Sequence, residues 1–158
     1  MTCAIALAAS LLLTDPVGPA AAAQPAPAAA APVSVAGEPL FADIIARSAR
    51  LKAVVDGWSA SGAADAAGFV TGPDFTAFKA QTVELAALDM QGHVTLRERG
   101  TDGDLKCILR GISEDMPRKV AAIESAADAH ARHTALEELA YLLNDNVEVI
   151  TAPPQPEV

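Results

Sequence analysis

The chain has 158 residues, 51% of them hydrophobic, and a formal net charge of −9. An acidic balance of that size excludes nucleic acid as the expected partner, because protein affinity for phosphate backbones is built on Lys and Arg. The length is that of one small domain, and with 4% aromatic residues and many alanines the expected core is thin, with helices approaching closely.

The first 37 residues carry one charged side chain, Asp15. An apolar run of eleven residues, 3–13, is followed by Asp15-Pro16-Val17-Gly18-Pro19 and by an alanine run ending at Ala23. The run is shorter than the roughly 20 residues a membrane-spanning helix needs. It has the length of a signal-peptide apolar region with a small-residue cleavage site. No Lys or Arg precedes it, which departs from that pattern; the alternative is an alanine-rich tail on a cytosolic protein. Cleavage after Ala23 removes Asp15 and leaves a charge of −9 + 1 = −8. Residues 24–37, alanine-rich with Pro25, Pro27 and Pro32, then read as a tether. The expected domain is 38–151, and residues 152–158 read as a disordered, Pro-rich tail.

Within the domain, residues 38–58 place Leu40, Phe41, Ile44, Leu51, Val55 and Trp58 at helical spacing, and Ser59-Ala60-Ser61-Gly62 breaks the pattern. A second helix is expected to open at Thr71-Gly72-Pro73-Asp74 with Thr71 as its cap. Its apolar side is Phe75, Phe78, Leu85 and Leu96, and it ends near Gly100. A third opens at Thr101-Asp102-Gly103-Asp104 and carries the strongest stripe: Leu105, Ile108, Leu109, Ile112, Met116, Val120 and Ile123. Pro117 cannot donate to the Ser113 carbonyl, so a kink is expected there. The fourth runs from about Asp128 to Ile150, with Ser125 or Asp128 as cap and Leu136, Leu139, Ala140, Leu143, Val147 and Ile150 inward. Short connectors favour antiparallel neighbours, so the pattern predicts an all-α, antiparallel up-down four-helix bundle.

The chemistry on offer is sparse. Six of the eleven basic residues fall between Arg97 and Lys119, but five acids interleave them, as on a solvated, salt-bridged face. Cys107 would be the only cysteine left after cleavage. It is placed on the outer face of the third helix, where it is a candidate for an intermolecular disulfide in an oxidising compartment. His130 and His133 are three apart and are the candidate metal ligands, for zinc or copper. Against this, bundle metal sites draw inward ligands from several helices and include Glu-x-x-His, which is absent. His93 lies at the far end of its helix, about 25–30 Å from that pair, and cannot complete a site with it.

Asp89 and His93 form the candidate buried polar pair on the apolar side of the second helix. Asp89 is placed to orient His93 for acid–base work or ligand contact, or to make an interhelical salt bridge with Arg47 or Arg110. Non-covalent haem is a weaker alternative, since Met116, His93 and His133 sit at different levels. No Gly-rich phosphate loop, Gly-x-Ser-x-Gly or His-Glu-x-x-His is present. The expectation is a non-enzymatic, periplasmic or secreted helical protein with no cofactor. It would act through a protein partner or its own copies, without nucleic acid and without stable membrane insertion after leader cleavage.

Overall fold

A computed structural model describes residues 34–100 and 103–153. The proposed leader, most of the tether and most of the tail lie outside the described residues. Four helices follow one another: α1 (Pro39–Ser61), α2 (Pro73–Glu98), α3 (Leu105–Glu124) and α4 (Ala129–Thr151). They form an antiparallel up-down bundle in which each helix lies against its chain neighbours and α4 closes the ring against α1. The α2–α3 and α1–α4 faces are the most extensive, and α1–α2 is the least. No strand occurs among the described residues.

The stripes read from the sequence are the core. Phe41, Ile44, Leu51 and Val55 meet Phe75, Phe78, Leu85 and Leu96, then Leu109, Ile112, Met116, Val120 and Ile123, then Leu136, Leu139, Leu143 and Ile150. Burial of such side chains, each worth roughly 1.5–3 kcal/mol, is the main favourable term. Gly92 lets α2 approach closely: a Cβ there would stand 3.1 Å from Leu109 Cδ1 and 3.3 Å from Phe41 Cε1. Val35 is buried against the same core, so the folded unit begins before α1.

The boundaries differ from expectation in particular ways. α1 runs three residues beyond Trp58, ending where Gly62 turns left-handed at φ 70. The connector to α2 is structured by 3-10 turns at Ala63–Asp65 and Phe69–Thr71. Thr71 therefore does not cap α2. Its hydroxyl donates to the Gly68 carbonyl within the second turn, and Gly72 takes the cap position without a side-chain bond. At α3 the cap position is Asp104, also without a side-chain bond, while Thr101 and Asp102 lie outside the described residues. α3 continues through Pro117, which is exposed on its outer side. Asp128 does cap α4, accepting from the Ala131 amide at 2.8 Å.

The two poles of the bundle are built differently. At one, the end of α1 and the start of α2 bring Trp58, Phe69, Phe75 and Phe78 together. Trp58 stands edge-on to Phe69 (centroids 5.0 Å apart) and to Phe78 (4.8 Å). At the other, Arg99 forks onto Glu38 at 2.7 and 2.8 Å, tying the end of α2 to the entry of α1.

Candidate functional site

Polar side chains are rare inside the bundle, and three of them meet. Ser48 of α1, Asp89 of α2 and Asn146 of α4 are each 0% exposed. Asn146 Nδ2 donates toward Ser48 Oγ at 3.1 Å and toward both Asp89 carboxyl oxygens at 3.0 and 3.1 Å. Two amide hydrogens thus face three oxygens, while Asn146 Oδ1 is buried without a partner among the described residues. The contact crosses the bundle from α4 to α2, helices that are not ring neighbours. Burial pushes the Asp89 carboxyl up to about 7, and the hydrogen bond from Asn146 opposes that rise.

Asp89 and His93 are both buried, as their spacing predicts, but they serve different neighbours. His93, 9% exposed, bonds through Nδ1 to the Lys106 carbonyl at 2.6 Å. A carbonyl only accepts, so Nδ1 carries the hydrogen. The bond ties α2 to the first turn of α3. The proposed salt bridges to Asp89 do not form. Arg47 is held by Asp43 and Glu84 on the bundle surface, and Arg110 reaches Glu114 on its own helix. Both guanidinium groups stay where water solvates them, and Asn146, a neutral residue, takes the interior position.

His130 and His133 do not converge on one site. His130 is exposed on the first turn of α4. His133 Nε2 donates to Asp65 Oδ1 at 3.0 Å, across to the α1–α2 connector. Beside it Arg132 Nη1 donates to the Ala64 carbonyl at 2.8 Å. Together they clamp the start of α4 onto the connector. A cation bound through His133 Nε2 would have to displace Asp65, and no group of three or more His, Cys, Asp or Glu among the described residues is arranged to hold a metal ion. Cys107 is half-buried near the start of α3.

No protein-family model, curated protein or solved structure matches the chain.

Ser48 and Asn146 escaped the sequence reading although a signal for them exists. Ser48 lies between Ile44 and Leu51 at spacings of four and three, and Asn146 lies likewise between Leu143 and Ile150. A polar residue on the apolar stripe of two different helices indicates a buried pairing.

Proposed function

We infer that this is an exported, non-enzymatic helical domain that works through contact with a protein partner or with its own copies. The observation that carries this reading is where the chemically versatile side chains are engaged. Asp89 faces Asn146, His93 faces a backbone carbonyl of α3, and His133 faces Asp65. Each ties one element to another, which is an architectural use. What remains outward is helix surface with isolated apolar groups, Val54, Val83 and Tyr141, the last 73% exposed.

The leader-like run at 3–13 supports export, and no helix among the described residues is long and apolar enough to cross a membrane. The test has two arms. Full-length protein expressed with its own N-terminus is expected in the exported fraction, shortened at or near Ala23; recovery uncleaved in the cytosol overturns export. Sedimentation across a concentration series, alone and with extract from the exported compartment, is expected to show a specific larger species. A strictly monomeric protein that instead carries stoichiometric zinc, copper or haem overturns the interaction reading.

A further inference from the structure

We propose that Asp89, buried where α1, α2 and α4 meet, is a proton-operated latch on the bundle: the helix packing around it holds while Asp89 carries its proton and is weakened when Asp89 becomes a buried charge. The inference does not depend on export or on any partner. It rests first on the poverty of the carboxyl's surroundings. An ionised carboxylate accepts about four hydrogen bonds, yet Asp89 faces one amide group, and that group is shared with Ser48.

Among the described residues no cation acts on the Asp89 carboxyl. On α1, Arg47 is 3.0 Å from Asp43 and 3.1 Å from Glu84 of α2. On α3, Arg110 is directed to Glu114. On α4, Glu148 accepts from Asn144 and Asp145 is half-buried. On α2 itself, Glu84 belongs to Arg47 and His93 to α3. Burial raises the Asp89 carboxyl, and the hydrogen bond from Asn146 works against that rise. As a neutral acid, Asp89 still offers a carbonyl oxygen to Asn146. As a carboxylate, it is a buried charge with no counter-ion among the described residues, which the interior tolerates poorly.

The direction follows from linkage. The Asp89 carboxyl titrates near 7 in the bundle against an ordinary value of 3.8, so the folded state holds an extra proton between those limits. Its stabilisation is complete below the lower value and is lost as pH rises through the upper one.

Urea unfolding of the full-length protein at pH 5.5 and pH 8.5, beside Asp89→Asn, tests the latch. The unfolding constant of the wild type is expected to rise about thirtyfold more than that of the variant between the two pH values. Other titrating groups are common to both proteins and cancel. Equal changes in the two proteins, or a smaller rise in the wild type, overturn the proposal. If Asp89→Asn does not fold, the side-chain carboxyl carbon shift of Asp89 in the wild type decides. A neutral acid at pH 5.5 that ionises near pH 7 upholds the latch; a carboxylate already ionised at pH 5.5 overturns it.

Discussion

The aromatic pole and the polar half of the bundle hold four helices together by opposite means. Around Trp58, Phe69, Phe75 and Phe78, large rings fill space, and the edge-on pairs of Trp58 with Phe69 and Phe78 add about 0.5–1.5 kcal/mol each beyond their area. Around Ser48, Asp89, Gly92 and Asn146, the core is narrow, its backbones are close, and its centre is polar. Area burial is tolerant of small shifts, whereas Asn146 meets Ser48 and Asp89 in only one alignment of α4 against α1 and α2. The aromatic pole supplies stability that varies little with conditions. The polar half fixes register and makes part of the stability conditional.

That contrast can be broken by substitution. Phe75→Ala opens a fully enclosed site and is expected to cost about 4 kcal/mol, read as a lower urea midpoint. Gly92→Leu forces methyl groups against Leu109 and Phe41 and is expected to cost about 2 kcal/mol through displaced backbone, with a matching fall in midpoint. Asn146→Leu removes the hydrogen bond to Asp89 and is expected to cost about 2 kcal/mol. Because that bond favours the ionised carboxyl, the loss should be greater at pH 8.5 than at pH 5.5; a loss independent of pH would place Asn146 with ordinary core residues. Smaller still, Arg132→Ala should cost about 1.5 kcal/mol by unfastening Ala64 from α4. His133→Ala should cost less than about 1 kcal/mol, since its partner Asp65 is half in water. If His133→Ala proved as damaging as Phe75→Ala, the aromatic pole would depend on its polar clamp and not on its rings.

The helices were legible because each apolar stripe is long and regular: Leu105 to Ile123 alone carries seven such positions, six of them buried. What the periodicity could not supply was tertiary choice. Asp89 was recognisable as buried from its place between Leu85 and Leu96, but its partner was expected to be His93 or an arginine. Arg47 lies near the right level yet finds two carboxylates without leaving the surface. Thr71 had the composition of a cap, but a 3-10 turn seven residues from the previous helix engages its hydroxyl first. His130 and His133 shared a helix face by spacing. The folding of the α1–α2 connector beneath α4, which gives His133 its partner, is a long-range event with no local trace.

The ring closure of α4 against α1 has a mechanical meaning. Because α1 begins and α4 ends at the Glu38–Arg99 pole, the segments that flank the bundle depart from one side of it. A load applied between those flanks peels α1 from α4 one contact at a time and does not shear the whole interface at once. Beyond the Glu38–Arg99 fork and the first turns, the opening meets the hydrogen bond from Asn146 to Ser48, which joins α4 to α1. The aromatic pole, about 35 Å away along helices of this length, is loaded last.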